Sequence, residues 1–129
     1  MIDIEPTLSI TLKQKTELLD LFLELEHHMV TFINDQSLGN NQNLQLFLSS
    51  YYQYFYNQYD VFPYHTVADS QFIMLDIIQV LNQTPLQMMP ALQLFEKLCV
   101  TLEIFIKKLI IGIVTYNILY QHLKIIQLM

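Results

Sequence analysis

The sequence contains no arginine and no tryptophan, a single cysteine and only two glycines. Each scarcity removes a class of protein. Arginine is the planar, fork-shaped cation that reads phosphates and base edges bidentately, so its absence argues against direct nucleic-acid binding. A lone cysteine, Cys99, allows neither an internal disulfide nor a cysteine-based zinc cluster, and its place in a helical pattern marks it as a packed thiol. Glycine occurs only at 39 and 112, and proline at 6, 63, 85 and 90. Sheet proteins need many turns built from these residues, so few, long elements are expected. The acidic opening MIDIEPTLS lacks the features of a signal peptide. The longest uncharged run near the C-terminus, Leu109–Gln121, has 13 residues, whereas a membrane span needs about 20. That run is expected to be buried helix, and the protein to be cytoplasmic with no membrane partner.

What is present is apolar. Hydrophobic residues make up 53% of the 129 residues and charged residues 14%, which excludes a disordered chain and suits one domain over 1–129. Charge is unevenly placed. Residues 1–103 hold all twelve carboxylates against Lys13, Lys15 and Lys97, a balance of −9; residues 104–129 hold Lys107, Lys108 and Lys124 and no acid, giving +3. An acidic body fits a basic protein partner, although acidic surfaces also serve solubility alone.

The periodicity is helical throughout. Leu18, Phe22, Leu25, Met29 and Phe32 recur at 4-3-4-3 spacing within a helix from about 11 to 35, opened by a Thr11/Gln14 capping box. The stretch Ser37-Leu38-Gly39-Asn40-Asn41 reads as a loop. A second helix is expected over about 43–60, with Leu44, Leu48, Tyr51, Phe55 and Tyr59 inward, stopped by Pro63. A third is expected over 67–82, capped by Thr66 and Asp69, with Phe72, Leu75, Ile78 and Leu81 as its core face. Thr84-Pro85 reads as a helix restart and Pro90 as an interruption. A long last helix, about 91–127, carries Phe95, Leu98, Leu102, Phe105, Leu109, Ile113, Tyr116, Tyr120 and Leu123. The expected fold is therefore all-α: an up-down bundle of four main helices with a long C-terminal helix and no strand.

Candidate sites follow from the helical wheel. Glu17, Asp20 and Glu24 fall within about 60° of one another, with Asp35 in line, as either a solvated face or a docking strip for lysines and arginines. Glu26 falls on the apolar face, where a carboxylate must be paired, hydrogen-bonded or protonated; a tyrosine or lysine on another helix is the expected partner. Residues 51–64 hold more aromatic rings than one face can bury, and Tyr52 and Tyr56, one turn apart off the core stripe, are candidate interface residues. His27, His28, His65 and His122 provide only one Glu-x-x-His spacing, Glu24 to His27, so no metal site is expected. No P-loop, dinucleotide fingerprint or nucleophile elbow occurs, and neither enzymatic activity nor a cofactor is expected.

Several of these residues carry a family resemblance. Leu19-Asp20-Leu21-Phe22-Leu23 stands where the Rsd/AlgQ family has an apolar–Asp–Arg–Trp–Leu pattern, followed at matching spacing by His28-Met29-Val30. Phe47-x-x-Ser50-x-x-x-Tyr54 and Phe62 form a second match. Leu98 and Leu102-Glu103, leading to Lys108-Leu109-Ile110 across a short gap, form a third. Over about residues 16–114 the chain thus resembles these anti-sigma regulators. The resemblance implies a bundle that embraces the basic, promoter-reading C-terminal region of the primary sigma factor, with Asp20 at the contact and Glu17 and Glu24 beside it. The alternative expectation is a small interaction, assembly or immunity protein that forms a homodimer through its apolar last helix.

Overall fold

The computed structural model describes residues 8–58, 62 and 64–129. Tyr59 and Pro63 lie outside them, as does the side chain of Tyr64. Helix α1 spans Leu12–Asn34. Thr11 caps it as expected: its hydroxyl accepts from the Gln14 N–H at 3.1 Å, and its own N–H donates to Gln14 Oε1 at 2.8 Å. Leu18, Phe22, Leu25, Met29 and Phe32 are all buried. Helix α2 spans Leu38–Asn57 and so begins inside the stretch expected to be loop. Ser37 is its cap, accepting from the Asn40 N–H at 3.2 Å. Asn40 Nδ2 donates to the Asp35 carbonyl at 2.9 Å and Asn41 Nδ2 to the Leu81 carbonyl at 3.0 Å. These turn-forming residues thus serve a tight helix-to-helix corner rather than a free loop.

Helix α3 spans Tyr64–Leu81. The Thr66/Asp69 cap is not formed, because Thr66 is already within the first turn and buried; its carbonyl accepts the Ser70 hydroxyl at 2.9 Å. The face is also different. Leu81 is buried as expected and Ile78 is half-buried, but Phe72 and Leu75 are exposed and Val67, Ile73, Met74 and Ile77 are buried in their place. Helix α3 is apolar on both sides, and the inward side is one that admits Ser70 and Gln71. The Gln71 amide donates to the Tyr52 carbonyl at 3.0 Å, which satisfies it at the α2 seam. Thr84–Pro85 is a cis peptide in the following connection, and α4 starts only at Met88. Pro90 thus sits in the first turn of α4, where an N–H is not needed, and does not interrupt the helix.

The long last helix is two helices. Helix α4 ends at Lys107, Leu109–Ile110 form a short strand, β2, and α5 runs Ile113–Gln127. Strand β2 pairs in parallel with Leu8–Ser9, β1. Gly112 makes the break, with φ +80 and ψ 154, a region essentially closed to side-chain-bearing residues. The break shifts the helical phase. Ile113, expected in the core, is exposed, and Tyr116 and Tyr120 are half-buried; α5 buries Leu123, as expected, together with Leu119 and Ile126.

Among the described residues, then, five helices form an all-α bundle. Each packs on its sequence neighbours, and α5 returns to pack on α1, closing a ring. Buried side chains from all five make one core. At its centre Phe55, Phe62 and Phe105 meet edge to face, with centroids 5.2 to 6.1 Å apart. Cys99 is buried there, and burial pushes its thiol up to about 12.

The two glycines should respond oppositely to alanine. Gly112→Ala should cost about 1–3 kcal/mol, because the break requires its backbone conformation. Gly39→Ala should stabilise by up to about 1 kcal/mol, since that glycine is helical with open space around it. Urea unfolding of both variants checks this; equal midpoints would refute the assignment.

Candidate functional site

Two surfaces combine chemistry with accessibility. The first lies along the α1–α2 seam. A groove of about 340 Å³ is lined by Leu21, Glu24 and His28 of α1 and by Asn43, Leu46, Phe47 and Ser50 of α2. Glu24 and Asp20 are exposed, one turn apart, and among the described residues neither makes an ion pair. Glu17, one turn further back, is half-buried, and its charge adds to burial in raising the Tyr54 phenol. Of the acidic stripe read from the wheel, Glu24 lines the groove, Asp20 is exposed one turn back and outside its lining, and Glu17 is half-buried.

Sequence reasoning missed the groove floor. The His28 ring stacks on Phe47 with centroids 5.1 Å apart. Burial, and after it the charge of neighbouring His27, pushes the His28 imidazole below its ordinary 6.5, with Glu24 opposing. His28 lies one turn after Glu24, so the i,i+4 spacing was a usable signal; its pairing with Phe47 across two helices was not. Ser50 shares the groove, but no hydrogen bond couples it to His28.

The tyrosines do not join this rim. Tyr52 is half-buried and packs against the core, which corrects its assignment as an open interface residue. It sits at the α3 seam, where its carbonyl accepts from Gln71. Tyr56 is exposed, as expected, but lies one turn on from Tyr52, on the side of α2 away from α1. Tyr51 is fully buried; the Tyr51 and Tyr54 hydroxyls have no hydrogen-bond partner among the described residues, and burial raises both phenols.

The second surface is the α1–α5 seam. Glu26 Oε1 accepts from His122 Nδ1 at 2.8 Å, with side chains 22% and 17% exposed respectively. The partner is therefore a histidine rather than the expected tyrosine or lysine. Glu26 also lies at the edge of the α1 core face, not its centre, because Phe22, Leu25 and Met29 point more directly inward. The pair borders an open groove of about 430 Å³, lined otherwise by Val114, Asn117, Ile118, Gln121 and Ile125. Among the described residues no three His, Cys, Asp or Glu side chains converge as a metal site. No helix among them is long and apolar enough to cross a membrane. No family model, curated protein or solved structure matches the chain.

Two expectations follow from this geometry. Glu26→Gln keeps an acceptor for His122 and should shift stability by no more than about 0.5 kcal/mol, whereas Glu26→Ala, which strands the imidazole, should cost about 1 kcal/mol. Identical melting of wild type and both variants would show that the pair contributes nothing. The second concerns pH. The native state holds the His28 proton less tightly than the unfolded chain, so stability is lost as pH falls below 6.5. Wild type should therefore lose melting temperature faster than His28→Gln between about pH 7.5 and 5; parallel curves would contradict the cause assigned.

Proposed function

We propose that the chain is a protein-binding regulator of the anti-sigma type, which sequesters the basic C-terminal domain of the primary sigma factor. The observation that carries this reading is the rim of the α1–α2 groove. Glu24 lines the groove beside Leu21, Leu46 and Phe47, and Asp20 is exposed one turn back on the same helix; neither carboxylate makes an ion pair among the described residues. A basic helix could lay its apolar side on that floor and its cations against the rim, combining desolvated anchoring with electrostatic steering. Asp20 is also the acid of the motif on which the family resemblance rests. The resemblance supplies the identity of the partner; the surface supplies its charge and shape. Binding, rather than turnover, is the proposed activity.

The test is a titration of the purified protein against the isolated C-terminal sigma domain. Binding at or below about 10 µM is expected, with an on-rate that falls as salt rises. Asp20→Lys with Glu24→Lys should weaken association at least tenfold without loss of helix, since both side chains are exposed, and should remove most of the salt dependence. No binding by wild type at about 100 µM would end the anti-sigma reading. Binding indifferent to the double reversal would move the site away from this rim.

A further inference from the structure

We infer that the outer face of the α1–α5 pair is a self-association surface, through which two copies of this chain pack about a two-fold axis. Strands β1 and β2 run parallel and lead within a few residues into α1 and α5, so these two helices also run the same way. Contact between Glu26 and His122 fixes their register. One turn earlier on each helix come Leu23 and Ile118, and one turn later Val30 and Ile125. The seam is therefore flanked on both sides by apolar residues, of which Leu23, Ile118 and Ile125 are exposed and Val30 is half-buried. Val114 is 69% exposed, Ile118 43% and Ile125 41%; on α1, Leu12 is 78% exposed and Leu23 51%.

Size favours a macromolecular occupant. The 15 residues of α5 extend about 22 Å. Two helices packed 8–10 Å apart present a strip about 20 Å wide. The flat footprint is about 450 Å², and side-chain relief raises it toward the low end of the roughly 600–1,000 Å² per partner that a specific interface buries.

Charge selects a second copy. Residues 1–103 carry −9, so two copies repel over most of their surface. Here that repulsion is least. The seam carboxylate, Glu26, is already paired with His122, and residues 104–129 contribute no acid. A strongly basic partner finds no free carboxylate among the α5 residues of this face, but finds them at Asp20 and Glu24. The two surfaces thus suit different occupants, and self-association through this one does not depend on the anti-sigma reading.

Sedimentation of the full chain between about 1 and 100 µM, a range in which interfaces of this size can dissociate, tests the inference. A concentration-dependent monomer–dimer equilibrium is expected. Val114→Glu with Ile118→Glu places four like charges in an apolar contact and should raise the dissociation constant at least about a hundredfold, with the helical circular dichroism unchanged. Phe72→Glu, at an equally open apolar position on α3, should leave the equilibrium as it is. As a check that does not rely on disruption, Gln121→Cys should form a disulfide-linked dimer under mild oxidation, because Gln121 is exposed on this face while Cys99 is buried. A monomer at 100 µM, or a dimer indifferent to the double charge but broken by Phe72→Glu, would overturn the inference.

Discussion

Helices joined by short links alternate in direction, and a ring of five can close only if one neighbouring pair runs parallel. In this fold that pair is α1 and α5. Parallel helices align their dipoles unfavourably, a modest penalty that falls off within the end turns. Two devices compensate. The β1–β2 ladder pairs backbone groups at the common starting end, and Glu26 with His122 ties the helices further along. Both depend on Gly112, whose positive φ lets the chain leave α4, form β2 and enter α5 beside α1 rather than continue straight. A straight α4–α5 rod would leave the core side of α1 open where Leu119, Leu123 and Ile126 now cover it.

Closing the ring in this way gives α1 two working seams of opposite character. Its inward stripe is committed to the core. Toward α2 it presents Glu17 and Glu24, with Asp20 on its outer side, and toward α5 it presents Leu23, Val30 and the hydrogen-bonded Glu26. The division follows from a single helical period. Residues three and four apart share a side, so the spacing 17-20-24 and the spacing 19-23-26-30 trace separate stripes. One helix can thus serve a charged contact and an apolar contact without either intruding on the other.

The clearest part of the fold to read from the sequence was α1. Its single apolar stripe admits one orientation, its cap has specific partners, and both were recovered residue by residue. The fold class was equally legible, because few glycines and prolines leave little room for sheet. Helix α3 was not, since hydrophobic residues occur on two sides and only packing chooses between Phe72/Leu75 and Met74/Ile77. The break at Gly112 was missed for a related reason. The flanking segments are each helical and apolar, so a continuous stripe can be drawn through both, and one glycine weighs little against it. At the candidate site, the acidic rim was visible because it is a property of one helix. The His28–Phe47 stack and the Glu26–His122 contact were not, because each joins residues from different helices.

The same break orders one part of the apolar excess that this sequence leaves at its surface. A chain with 53% hydrophobic residues and 14% charged ones carries more apolar side chains than a small bundle can enclose. Some of that surplus is spread over the other helices, as at Leu46, Phe72 and Met89, and isolated surface leucines are ordinary. On α5 its share is ordered. Val114, Ile118 and Ile125 follow a helical period of their own, beside the buried period of Leu119, Leu123 and Ile126. A helix that faces the core needs only one such stripe. The second stripe, adjoining Leu23 and Val30 across the seam, has the pattern of a packed face with its mate missing. That pattern, rather than overall hydropathy, argues that α5 is built to be covered.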